Sequence, residues 1–446
     1  MARAKLTTGP VSRALFSLAM PMIIGLLSVI FFNLADTYFV SRLGTAELAA
    51  MSFTFPVVMV LFGVSFSLST GTTSLVSRAI GRGDEGAIKR IASDSLTLSF
   101  IVVAIVAGVG MVTIDPLFTL MGASPEVLPL IRDYMFIWYP GIAFLVVPMV
   151  ANASIRASGD TKFPAMMMVG AMVTNLVLDP IMIFGMFGFP RMELKGAAWA
   201  TVISRGGTMV AALAILHFRE RLLDFRTASL GQVWQSWRAI LGIAVPVGAT
   251  NIMQPVAMAV VTRLIAQFGP GAVAAWGAGE RITAFALIPV MAVCSALVPL
   301  VGQNWGAQEY DRVNEARRYA YLFSVGWGLL VLGGMWLVAE SVATVFSTEP
   351  GVLEEIMRYL WIMPFGYALY GVLNVSEETL NAVGRPLVAA LQTLIHMFVF
   401  YAPLALLGAY LLGFAGLLWG VTVANLLGGA VAYGLSQFIC LRGGRS

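Results

Sequence analysis

The sequence predicts an all-α integral membrane protein: twelve transmembrane helices in two pseudo-symmetric six-helix lobes. Three observations carry this. Of 446 residues, 59% are hydrophobic and only 11% charged, far from the ~25% charge of a soluble domain. A water-soluble chain of this length has too little interior to hide that apolar surface. The apolar residues fall in runs near the ~20 residues needed to cross ~30 Å of hydrocarbon, without the period-2 alternation of a membrane β-barrel. And the chain repeats itself at a shift of 225 residues.

In order, the spans are expected near 14–40, 48–76, 95–121, 127–155, 164–189, 196–217, 239–267, 272–302, 319–346, 351–382, 387–412 and 415–440. Arg3, Lys5 and Arg13 precede the first run, which is too long for a cleaved signal peptide and reads as the first helix. Lys and Arg concentrate in the even-numbered loops: Arg78, Arg82, Lys89, Arg90, Arg156, Lys162, Arg219, Arg221, Arg226, Arg312, Arg317, Arg318 and Arg385. The opposite loops hold few, among them Arg42, Arg191 and Lys195. The positive-inside rule then places both termini in the cytoplasm; the expected location is a prokaryotic inner membrane.

The repeat aligns Ala19-Met20-Pro21 with Ala244-Val245-Pro246, Gly44 with Gly269, Gly81 with Gly306 and Gly159 with Gly384. Gly196-Ala-Ala-Trp199 matches Gly416-Leu-Leu-Trp419 at a slightly smaller shift. Six spans per half give both halves the same orientation, related by an axis along the membrane normal with a transport cavity between them. The expected division is 1–218, a cytoplasmic linker 219–238, and 239–446.

Ionisable groups inside spans are costly, at least ~2.5–3.5 kcal/mol on insertion scales, and mark function by default. Asp36 lies late in span 1; Asn175 and Asp179 share a face of span 5. Asp179 is about 22 Å into its helix at ~1.5 Å per residue, and Asp36 and Thr201 fall at comparable depth. If they converge, two carboxylates in a dry cavity cannot both stay charged cheaply, so they suit a proton or a hard monovalent cation such as sodium. The competing expectation is that each aspartate pairs with an arginine, Arg205 being in the neighbouring span, to hold helices together.

Pro21 favours a kink in span 1, static or moving, and Pro246 occupies the same repeat position. Glu280 and Arg281 could neutralise each other, and Glu377 with Glu378 offers a second carboxylate site. His217 is expected at a helix end, His396 as a packed or cavity-lining side chain. The methionines and aromatics include cavity-lining groups for bulky apolar cations.

The pI of 9.1 does not indicate nucleic acid, because the basic residues are scattered through loops. Two isolated cysteines, Cys294 and Cys440, give neither a disulfide framework nor a zinc site. No clustered nucleophile and base supports an enzyme, and no repeated filter supports a channel.

Several stretches in this order resemble the multidrug and toxic compound extrusion (MATE) family, and within it the DinF-like branch. They are Pro21 through Ala50, Arg156-Ala-Ser-Gly-Asp160-Thr-Lys-Phe-Pro164, Asn175-Leu-Val-Leu-Asp179-Pro180 and Gly196-Ala-Ala-Trp-Ala-Thr201. The resemblance covers essentially the whole chain. It implies a V-shaped, monomeric antiporter without a cofactor that exports organic-cation drugs against inward protons or sodium. It maps the coupling-ion site onto Asp36, Asn175, Asp179 and Thr201, the bending first helix onto Pro21, and a substrate cavity onto Asn33, Tyr139 and Asn152. The segment Pro190–Leu194 is longer than the family pattern. Sodium-dependent members place acids in the C-terminal lobe, where Val261 and a position near Tyr401 here replace Asp36 and Asp179. A lipid-linked precursor flippase of the same superfamily and a non-drug metabolite exporter are the alternatives.

Overall fold

The computed structural model describes residues 4–224 and 229–443. Expectations for Arg3, Arg226, the side chain of Cys440 and part of the 219–238 linker lie outside the described residues. The described chain forms α1 (Val11–Ser41), α2 (Thr45–Arg82), α3 (Glu85–Leu120), α4 (Leu128–Gly141), α5 (Ala143–Ala157), α6 (Lys162–Phe184) and α7 (Glu193–Ala214). After these come α8 (Leu230–Ile265), α9 (Pro270–Ala286), α10 (Ile288–Gly306), α11 (Tyr310–Phe346), α12 (Pro350–Ile362), α13 (Pro364–Ala382), α14 (Pro386–Ile395) and α15 (Ala402–Gly443).

Among the described residues, ten helical runs are long and apolar enough to cross a membrane. One of them, Pro386–Ile439, is two spans joined at a backbone break, Leu412 and Gly413. The α12–α13 pair, broken at Met363 and less apolar, completes the expected twelve. Several helices outrun the expected spans: α3 starts at Glu85 and α11 at Tyr310. Hydropathy marks the part in hydrocarbon, while the backbone continues helical into the polar layer.

In three spans read as continuous the helical hydrogen-bond pattern is interrupted at one residue, Ile142, Leu287 or Met363, each still in the right-handed α region. Pro289 and Pro364 open the second segments of the latter two, where a missing N–H costs nothing. Carbonyls freed near the breaks cannot turn to water within hydrocarbon. Instead Trp327 Nε1 donates to Ala286 O at 2.7 Å, and Trp336 Nε1 to Trp361 O at 3.2 Å.

The chain groups into two compact units. One comprises Met20–Ala244; the other comprises Leu6–Ala19 and Val245 onward. This differs from a division at 219–238, because two helices change units part-way along. The first half of α1 belongs to the second unit: Leu6 N donates to Gln303 Oε1 at 3.1 Å, and Arg312 Nη1 donates to Gly9 O at 2.9 Å. Val11, Leu15 and Leu18 are buried in that unit's core. The first half of α8 belongs to the first unit, where Trp237 Nε1 donates to Asp94 O at 3.0 Å. The two crossing points fall within two residues of Pro21 and Pro246.

The repeat is visible in the backbone. Gly159 and Gly384 are both left-handed, at φ 90° and 81°. Gly83 (φ 71°) is matched by Gln308 (φ 63°), 225 residues on, so the turn survives even without glycine. Each half of the repeat ends in a helical hairpin. A Cβ on Gly196 would lie 2.5 Å from Met182 O, and one on Gly416 would overlap Gly408 O, so these glycines set the approach of the paired backbones. The first hairpin carries the longer connection, with a 3₁₀ turn at Met186–Gly188 before α7; the second turns at Leu412–Gly413.

Candidate functional site: buried carboxylates in the first unit

Asp36 and Thr201 are 6% and 5% exposed, while Asn175 and Asp179 are fully buried. Asn175 Nδ2 donates to Asp179 Oδ1 at 3.0 Å, as four-residue spacing on one helix face allows. The close α6–α7 hairpin packs the helix of Thr201 against that of Asp179. Asp36, Asp179, Arg205 and Tyr134 lie near enough to interact electrostatically. Four oxygens of the set make no hydrogen bond: Asp36 Oδ1, Asp179 Oδ2, Asn175 Oδ1 and Thr201 Oγ1. Buried polar atoms are rarely left unpaired, and each such exception calls for an explanation such as a missing ion or proton. An all-oxygen donor set suits a proton or a hard cation.

Among the described residues, no cation lies within ion-pairing distance of either aspartate. The pairing expected of Arg205 is absent. Its guanidinium sits over the rings of Phe32 at 5.0 Å and Phe62 at 5.2 Å, and its Nε is unbonded. The aromatic faces hold the cation and leave the carboxylates free of a direct counter-ion.

The residues expected to line a substrate cavity lie on three different helices, α1, α4 and α5. Asn33 is exposed on α1, its Nδ2 donating to Val29 O at 3.0 Å. Tyr139 is buried with its ring against Gly110. Asn152 is buried on α5 with an unbonded Oδ1.

The second unit has its own polar cavity of about 130 Å³, lined among others by Gln254, Glu280, Tyr370, Glu377 and Tyr401. Glu280 does not pair with Arg281; it accepts from Tyr359 Oη at 3.0 Å, and Thr283 bridges Tyr359 and Tyr367. His396 lines the same cavity, with Nε2 at 3.1 Å from Asn425 Oδ1. His217 lies in the last turn of the helix that ends at Arg219, as expected.

Sequence reasoning missed Tyr134 and Tyr359, although the 225-residue shift aligns them with each other. The same shift puts Glu377 opposite Asn152, and the smaller 220-residue shift puts Asn425 opposite Arg205. Each unit therefore holds polar residues at equivalent positions, with different chemistry.

The MatE family matches residues 21–181 and again residues 246–407, starting at each of the two prolines. A FAD transporter of Shewanella oneidensis is 37% identical over 98% of this chain and 97% of its own. The multidrug export protein MepA of Staphylococcus aureus is 24% identical over 94% of this chain and 92% of its own. The Vibrio cholerae MATE transporter VcmN, solved in the bent form, superposes with a TM-score of 0.93 at 31% identity, covering 97% of this chain and 98% of that one. A MATE structure in the straight conformation gives 0.92 at 25% identity, covering 99% of each chain. The chain belongs to the MatE family of membrane transporters.

Proposed function

We propose that this chain is an ion-coupled exporter in which Asp36, Asn175, Asp179 and Thr201 bind the coupling ion, a proton or sodium. The observation that carries this is the pair of buried carboxylates with unbonded oxygens and no ion-paired cation. An outward-facing state loads the ion there, which changes the charge and hydrogen bonding around the second half of α1. Bending at Pro21 follows, and the solute is displaced outward. Coupling requires the ion to bind the two conformations with different affinity. That family relatives are solved in bent and straight forms supports two stable positions of a moving part. The protein works as a monomer in the inner membrane with both termini in the cytoplasm.

The exported solute is an anionic aromatic metabolite of the FAD class. The Shewanella FAD transporter is more similar than the multidrug relatives, at 37% against 24–25%. Arg263 and Arg281 support the same reading. Both are exposed in apolar helices without an ion-paired carboxylate, and a guanidinium in a span faces water rather than lipid. Export of organic-cation drugs is the second reading, favoured by MepA and by the probable multidrug resistance protein YoeA of Bacillus subtilis, 25% identical over 89% of this chain.

Proteoliposomes loaded with FAD or with ethidium decide between them. Gradient-driven movement of FAD that ethidium does not inhibit supports the first reading. Movement of ethidium alone supports the second and removes the first.

A further inference from the structure

We propose that the second unit binds an anionic phospholipid in a groove between α11 and α15, its phosphate on Arg318 within the field of the buried Arg317 and an acyl chain along the apolar wall. The groove has a volume of about 730 Å³ and is lined by Arg317, Arg318 and Tyr321 and by apolar residues that include Leu322, Val325, Leu369, Val372 and Ala430. That size is within the range of ligand sites. No acidic side chain lines it.

Arg317 is the unusual element. It is 1% exposed, yet no carboxylate lies within ion-pairing distance among the described residues. Nη1 donates to Asn314 Oδ1 and Nη2 to Ser436 Oγ, both at 2.9 Å, while Nε is bonded to nothing. These partners and the Tyr321 ring, 5.8 Å from the guanidinium, are all neutral and supply no counter-charge, and a buried charge without one is costly. Arg318, beside it, is exposed. Arg317 is seven residues into α11, about 10 Å along the axis at ~1.5 Å per residue. That is the depth of the headgroup boundary, at the end of the bundle expected to face the cytoplasm. A lipid phosphate there supplies the missing anion, and its acyl chain continues along the apolar wall.

The first unit shows what the equivalent place requires. Arg317, Arg318 and Ser436 correspond through the two repeat shifts to Ala92, Ser93 and Leu216. There the chain covers itself: Asp224 N donates to Ser93 Oγ at 2.8 Å, Leu222 N donates to Leu216 O at 3.0 Å, and the Leu222 side chain is buried in the core. In the first unit Ala92 and Leu222 are both buried in the same core. The second unit has an arginine where the first has that alanine, and a groove beside it.

The test is native mass spectrometry of the full chain in neutral detergent, titrated with palmitoyl-oleoyl phosphatidylglycerol or phosphatidylcholine. Phosphatidylglycerol is expected to be held more tightly, with each arginine contributing about fivefold. Arg318→Ala should lose about that factor and Arg317→Ala at least as much. Ala430→Phe, which fills the apolar wall and leaves both arginines, should weaken both lipids. Equal retention of the two lipids overturns the proposal. So does unchanged phosphatidylglycerol binding in folded Arg318→Ala and Ala430→Phe, which decide the matter if Arg317→Ala does not fold. Displacement of the lipid by millimolar inorganic phosphate would mean a free-phosphate site and overturns it equally.

Discussion

At the residue scale, the weight falls on where two carboxylates are left without cations. Asn175 gives Asp179 its one amide donor, and a hydrogen bond to a charged group is worth ~1.5–3 kcal/mol. Asn175→Ala should therefore change the apparent affinity for the coupling ion by about tenfold or more, read as a shift in the half-saturating proton or sodium concentration, with little change in thermal stability. Arg205 makes a different prediction. Held by Phe32 and Phe62 rather than by a carboxylate, it tunes the field around Asp36 without neutralising it directly. Arg205→Met should keep transport coupled while moving that same half-saturation. Asp36 and Asp179 were legible in the sequence because a carboxylate inside an apolar run stands out from its neighbours. Tyr134 was not, since a tyrosine in a span is ordinary until its repeat partner is found beside Glu280.

At the element scale, the broken and crossing helices carry the argument. Prolines in the sequence marked kinks, but they did not show that α1 and α8 leave one packed unit and enter the other beside Pro21 and Pro246. That depends on tertiary burial of Val11, Leu15 and Leu18, whose apolar pattern is the same whichever core they join. Pro21→Ala restores a backbone donor and removes the clash with the carbonyl of Ser17. The expected result is a straighter, stiffer α1, with transport rate reduced and melting temperature unchanged or raised; full transport would make the kink static. The terminal hairpins predict the opposite pattern. A Cβ on Gly416 meets the backbone of Gly408 rather than a flexible side chain. Gly416→Ala should therefore destabilise by about 1–3 kcal/mol, as overpacking does, lowering the melting temperature before it alters ion dependence.

At the scale of the whole molecule, the halves share a scaffold and differ in chemistry. The turn at Gly83 and Gln308, the left-handed pair Gly159 and Gly384, and the glycine-set hairpins repeat, and the family match itself starts twice. Asp36 and Asp179 do not repeat. The second unit keeps acids of its own at other positions, Glu280 within a tyrosine network and Glu377 on the wall of the same cavity. Composition and the 225-residue shift sufficed for the duplication, because span count and turn residues are written locally. The network around Glu280 was hidden, because Thr283, Tyr359 and Tyr367 are brought together only by packing.

The central claim, that coupling is carried by the first unit, is tested most directly by solute flux in purified proteoliposomes. The pH gradient and the sodium gradient are imposed separately on the wild type, Asp36→Asn, Asp179→Asn and the Glu280→Gln/Glu377→Gln double variant. The account predicts that one gradient drives the wild type and the double variant, while both aspartate variants equilibrate solute without responding to either gradient. Full gradient-driven transport by both aspartate variants, with coupling lost in the double variant instead, would contradict it.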